Sequence, residues 1–181
     1  VNLTDTAGNN NGQNGLLMSL QNGAKLTTTV VNGNFNDSPI NAIQSNVSGV
    51  GSVNTLTLTN TTGNNSGLDG IRFNVSNSGA FNATANGGSF NNSGDSGIRG
   101  ILDSSAQASL NFTNVNVQNS NDDGLFVNST NGSTFNGTFT GGGFANSGQD
   151  AGSLRRNAVE LLVNDSTNTL NMTNTAGDNA G

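Results

Sequence analysis

The chain has 181 residues, of which 31% are hydrophobic, with 26 glycines, 36 asparagines and no tryptophan, tyrosine, histidine or cysteine. Its 5 basic and 11 acidic residues give a net charge of −6, so no basic stripe exists for nucleic acid, and the lack of cysteine removes disulfide frameworks and thiolate zinc sites. No apolar run is long enough to enter a membrane, and a chain this polar folds only if its few apolar side chains are held in phase.

That phase is visible from the first residues onward. Val1 and Leu3 alternate as the inward pair of a strand, a turn follows through Gly8 and Asn10, and "NGLLMSL" then begins an apolar run behind Gly15. The run returns behind Ala42, Gly70, Gly97, Gly124 and Ala158, at spacings of 27, 28, 27, 27 and 34 residues. A fixed period of this size predicts stacked coils, each burying its apolar side against its neighbours. The inward residues after these anchors are Leu16, Met18, Leu20; Ile43, Ser45, Val47; Ile71, Phe73, Val75; Ile98, Gly100, Leu102; Leu125, Val127, Ser129; and Val159, Leu161, Val163.

A second strand starts 14 residues before most anchors, with inward pairs Thr28 and Val30, Leu56 and Leu58, Ala83 and Ala85, Leu110 and Phe112, Gly137 and Phe139, Leu170 and Met172. A third, shorter strand brings Phe35, Phe90, Val117 and Phe144 inward, with Gly8, Gly63 and Gly177 in the other turns. Between strands lie Asn, Gly and Ser, the residues that tolerate turn and left-handed conformations. The sole proline, Pro39, falls at such a corner.

Before each anchor runs the column Asn10, Asp37, Asn65, Asn92, Asn119, Asn146, Asn179, followed mostly by Ser. Stacked amides at a corner bond along the axis and satisfy polar groups that stacking would otherwise strand, so this column is predicted to be a structural ladder.

The motifs "NNSGLDGIRFNV", "NNSGDSGIRGIL" and "QNSNDDGLFVNS" resemble the right-handed parallel β-helix repeats of the pectate-lyase-like superfamily found in bacterial surface and secreted proteins. The resemblance implies an all-β, right-handed parallel β-helix of about 6–7 coils with three strands per coil, in one domain over residues 1–181. It implies an extracellular or cell-surface location and leaves the activity open, because the same fold carries lyases, hydrolases, adhesins and stalks.

One coil is irregular. A loop insertion at residues 149–156 contains Arg155 and Arg156, the densest positive charge in the chain and the candidate contact for an anionic partner.

Chemistry is sparse. Asp69, Asp95, Asp122 and Asp123 fall at one corner of successive coils, near Arg72 and Arg99, and Asp95 should stack on Asp122 at the strand spacing of about 4.8 Å. Carboxylates that close raise each other's pKa or recruit a hard cation, which makes Asp95, Asp122 and Asp123 the calcium candidates. β-Helix polysaccharide enzymes, by resemblance, place acids and bases across neighbouring coils. Against catalysis stand the single lysine, the missing histidine and the missing Trp or Tyr platform, so no catalytic residue is assigned and no cofactor is expected.

The outward columns of the second strand, Thr29, Thr57, Thr84, Thr138 and Thr59, Thr113, Thr140, Thr173, make a Thr grid that resembles the ice-binding face of some β-solenoids, although Asn and Val interrupt it. Asn-x-Ser/Thr sequons such as those at Asn60, Asn82 and Asn111 follow from composition.

Finally, "VNLTDTAGNNNG" at the start matches "LNMTNTAGDNAG" at the end in seven of twelve places. Matching phase at the two ends is compatible with head-to-tail stacking of copies into a filament, or with an excerpt flanked by further repeats of the same chain. The reading is therefore a structural segment of an extracellular filament, stalk or adhesin, possible partners being itself and a surface polysaccharide. The alternatives are a carbohydrate-binding or polysaccharide-degrading β-helix and an ice-binding solenoid.

Overall fold

A computed structural model describes residues 1–10, 12–147 and 157–177. Its strands are β1 (Asn2–Thr4), β2 (Leu16–Gln21), β3 (Lys25–Val31), β4 (Ile43–Ser48), β5 (Val53–Thr62), β6 (Ile71–Ser76), β7 (Ala80–Ser89), β8 (Ile98–Leu102), β9 (Gln107–Thr113), β10 (Leu125–Thr130), β11 (Thr134–Thr140), β12 (Val159–Asn164) and β13 (Thr167–Thr173). Odd-numbered strands form a seven-stranded sheet and even-numbered strands a six-stranded one, each in chain order. Every strand pairing is parallel, and successive strands alternate between the sheets, so the chain winds as a parallel β-solenoid of about five turns.

Register follows the apolar phase. Ile43 pairs with Ile71, Ile71 with Ile98 and Ile98 with Leu125, while Val30, Leu58, Ala85, Phe112 and Phe139 make one column in the other sheet. A slip of one residue would turn all of them outward, and burial of the core forbids it.

Each coil has two full strands, and the expected third is reduced to single-residue bridges such as Ala7 to Asn34, Ser89 to Asn116 and Asn116 to Gly143. Two left-handed residues five apart bracket this arc, Asn32 and Asp37 in one coil, Asn60 and Asn65 in the next, Asn114 and Asn119 further on. Bends so close together leave no room for a longer ladder, although β5 and β7 carry their pairing past the first bend as far as Thr62 and Ser89.

Phe35, Phe90, Val117 and Phe144 nevertheless point into the core as expected. They also explain the anchor glycines. A Cβ on Gly70 would lie 2.6 Å from the Gly97 carbonyl oxygen and 2.8 Å from Phe90 Cβ, so a side chain there would push the corner apart. Gly100 has a different reason, because its pairing partner Phe73 fills the space a side chain would take.

The aromatic packing extends beyond the sequence reading. Phe81 and Phe135, one alternation step earlier in their strands, are fully buried and stack on Phe73 with ring centroids 5.2 and 6.4 Å away. The same column carries Asn54, also fully buried, whose amide donates to Ser45 Oγ at 2.8 Å. At the last coil, Val163 and Met172 depart from the expected burial, at 51% and 40% exposure, since no described strand stacks beyond β12 and β13.

Candidate functional site

Three hydrogen-bonded columns run along the corner that precedes the six-stranded sheet. The outermost is the predicted ladder. Asn65 donates to Asp37 at 3.0 Å, Asn92 to Asn65 at 3.0 Å and Asn119 to Asn92 at 3.1 Å, side chain to side chain. Asn10, Asp37, Asn65, Asn92, Asn119 and Asn146 all have positive φ, near 50°, which Asn and Asp adopt more readily than other non-glycine residues. Asn179, Arg155, Arg156 and the whole 149–156 insertion lie outside the described residues.

Two further columns were not singled out in the sequence. The Oδ1 atoms of Asn36, Asn64 and Asn91 accept the backbone N–H of Asn64, Asn91 and Gln118 at 2.7 to 2.9 Å. The other column consists of Asn14, Asn41, Asp69, Ser96, Asp123 and Asn157, each immediately before an anchor. Here Oδ1 of Asn14, Asn41, Asp69 and Asp123 accepts the next coil's N–H at 3.0 to 3.2 Å. The signal for both was present as a short side-chain oxygen recurring once per coil, hidden by the abundance of Asn.

The acids are divided between two columns. Asp69 and Asp123 are fully buried in the inner one, whereas Asp95 and Asp122 stack half-buried in the next, joined by a 3.1 Å backbone bond from Asp122 to Asp95. The predicted stacking of Asp95 on Asp122 is thus present. Asp95 and Asp122 lie in a different column from Asp123, and among the described residues no group of three or more acidic, His or Cys side chains is placed to hold a metal ion.

Both arginines fold back onto this corner. Arg72 Nη1 lies 3.4 Å from Asp69 Oδ2, and Arg99 Nη1 donates to Asp95 Oδ2 at 2.6 Å while its guanidinium sits 5.0 Å from the centre of the Phe126 ring. Phe126 is an exception to the alternation. It lies between inward Leu125 and Val127 yet is itself buried.

Burial pushes the Asp69 carboxyl up to about 7, with the charge on Asp95 adding to it, against the opposing pull of Arg99, Arg72 and the Ser96 N–H. The ion pair with Arg72 is therefore weak, as its length suggests. Asp95 is raised as well, first by desolvation, with the neighbouring Asp122 carboxyl reinforcing and Arg99 opposing.

An amide network covers the adjoining outer face of the six-stranded sheet. Asn41 donates to Gln44, Gln44 and Asn74 both donate to Asn46, and Arg72 Nε donates to Asn74, which ties Arg72 back to the corner. Beside it a shallow depression of about 220 Å³ is lined by Ser19, Gln21, Asn46, Ser48, Asn74 and Ser76.

The fold and these ladders define an all-β repeat protein, a parallel β-solenoid. No family model matches the chain, and neither a curated protein nor a solved structure matches it.

Proposed function

We propose that the chain is a structural β-solenoid outside the cell, a segment of a surface filament, stalk or adhesin. The supporting observation is the uninterrupted one-to-one register of both sheets from β1 to β13, which yields a rod with repetitive polar flanks. In such a molecule the useful product of folding is length and stiffness, since each added coil extends the axis by about 4.8 Å and buries the edge of the previous one. Right-handed winding and kinship with the pectate-lyase-like repeats belong to the same proposal and are supported by the three motifs that carry the acidic corner.

Electron microscopy of the isolated chain tests the assembly part of this reading. Uniform fibres that are lost in Leu3→Lys without loss of the β spectrum would support head-to-tail stacking through the first coil. Discrete particles at high concentration would refute self-assembly and leave a stalk built from covalently linked repeats.

A second reading, a carbohydrate-binding or polysaccharide-degrading β-helix, draws on the paired carboxyls of Asp95 and Asp122 beside Arg99. Incubation with pectins, alginates and other uronate polymers tests it. Release of unsaturated or reducing ends that vanishes in Asp122→Asn and Arg99→Ala would replace the structural reading with this one.

A further inference from the structure

The outward face of the seven-stranded sheet is unlike the other polar surfaces of the solenoid. Its register lays three rows along the axis. The middle row is Thr29, Thr57, Thr84, Asn111, Thr138 and Asn171, and the rows through Thr55 and Thr59 flank it. Apart from Val31 in one of them, every position is Thr, Asn or Ser, and all are exposed or half-buried. The seven strands hold one charged residue, Lys25, which lies outside the rows, whereas the outward face of the six-stranded sheet carries Arg72, Arg99 and Glu160.

The hydrogen bonding differs as well. At the corner and on the six-stranded sheet polar side chains bond to one another along the axis, as Asn65 does to Asp37 and Asn74 to Asn46. Among the described residues, the hydroxyls and amides of the three rows make no side-chain hydrogen bond to protein. Their donors and acceptors are all turned to water.

The spacing selects which water they fit. Parallel strands repeat about every 4.8 Å, and positions two apart in a strand are about 6.6 Å apart, so the groups form a flat two-dimensional lattice. In a tetrahedral water network with hydrogen bonds of about 2.75 Å, two oxygens that share a neighbour lie about 4.5 Å apart. Successive hydroxyls in a row can therefore bond successive oxygens of such a network, with a misfit of about 0.3 Å per strand. Liquid water keeps this order only over short distances, but ice keeps it over the whole length of the sheet. Thr is stiff about its first side-chain torsion, so its hydroxyl holds its place without a protein partner. Many weak bonds made at once by one rigid surface then add up to adhesion. A charged group would hold its own hydration shell against the lattice, and the rows contain none.

We propose that the outward face of the seven-stranded sheet, centred on Thr57, Thr84 and Thr138, is an adsorption surface for ice, the ligand being the ordered water lattice itself. A polyanion would require basic residues and a crystalline polysaccharide an aromatic platform, and the rows offer neither. Such a surface works equally on a stalk and on a free solenoid.

The test is uptake of the intact chain into slowly growing ice, compared with an ice-inert protein of the same size, together with the shape of single ice crystals in its solution. The wild type should be enriched in the ice and should facet the crystals. Thr84→Lys and Thr138→Lys, at exposed positions in separate coils, should each lose the enrichment and the faceting while keeping the β spectrum. Asn128→Lys places the same charge on the outward face of the other sheet and should behave as wild type. Wild-type uptake no greater than that of the inert protein would overturn the proposal. So would uptake that survives in both threonine variants, or that Asn128→Lys abolishes equally. Sedimentation gives a further check: a wild-type dimer that Thr84→Lys dissociates, with no uptake into ice, would show that the face binds a second copy of the chain instead.

Discussion

Replacing Asn92 by alanine and, separately, by glycine distinguishes the two roles of the ladder. Asn92 sits at φ 57°, donates to Asn65 and accepts from Asn119. Either substitution removes both side-chain bonds, which at an exposed corner contribute about 0.5 kcal/mol each, the low end of the usual range. Alanine also pays for its left-handed conformation, about 1–2 kcal/mol, whereas glycine escapes that strain and loses about 0.4–1 kcal/mol through the entropy of the unfolded chain. The expected loss is therefore about 2–3 kcal/mol for Asn92→Ala and about 1.5–2 kcal/mol for Asn92→Gly. Guanidinium unfolding followed by circular dichroism measures both, with the slope checked for constancy so that the midpoints report stability. Equal losses would show that backbone conformation is not why this column selects Asn. No loss in Asn92→Gly would mean that the side-chain ladder contributes nothing, and the corner would owe its stability to the backbone bonds alone.

Ile98→Asp places a charge in a fully buried column between Ile71 and Leu125 and should abolish the β spectrum at 25 °C; a wild-type melting temperature would show that the register is wrong. Gly70→Ala should cost about 1–3 kcal/mol in chemical denaturation, because its methyl would meet the Gly97 carbonyl and Phe90, and a neutral result would mean that the corner relaxes freely. For Asp69 the carboxyl pKa rises from 3.8 to about 7 on folding, so between those values the folded chain keeps a proton that the unfolded chain has released. Stability should accordingly fall as the pH climbs from about 4 to about 7 and level off above, by an upper limit on the order of 4 kcal/mol; Asp69→Asn should flatten the profile and be the more stable protein at pH 8.

Much of this architecture is a local property of the sequence. The apolar residues recur with period two inside each strand and about 27 residues between coils, so which side chains face inward, and which coil neighbours which, can be read without coordinates. The ladder from Asp37 to Asn119 was legible for the same reason, as one residue type at one phase of the repeat. Other features depend on distances through space. The third strand shrinks to bridges because two left-handed bends fall five residues apart, and Phe81 and Phe135 become core because they stack on Phe73, whose ring itself occupies the space that Gly100 leaves open. The four aspartates look alike in sequence. Only folding divides them, since the inner column is covered by coils above and below and the outer one keeps partial contact with water, and desolvation, which grows with that cover, is what sets Asp69 apart.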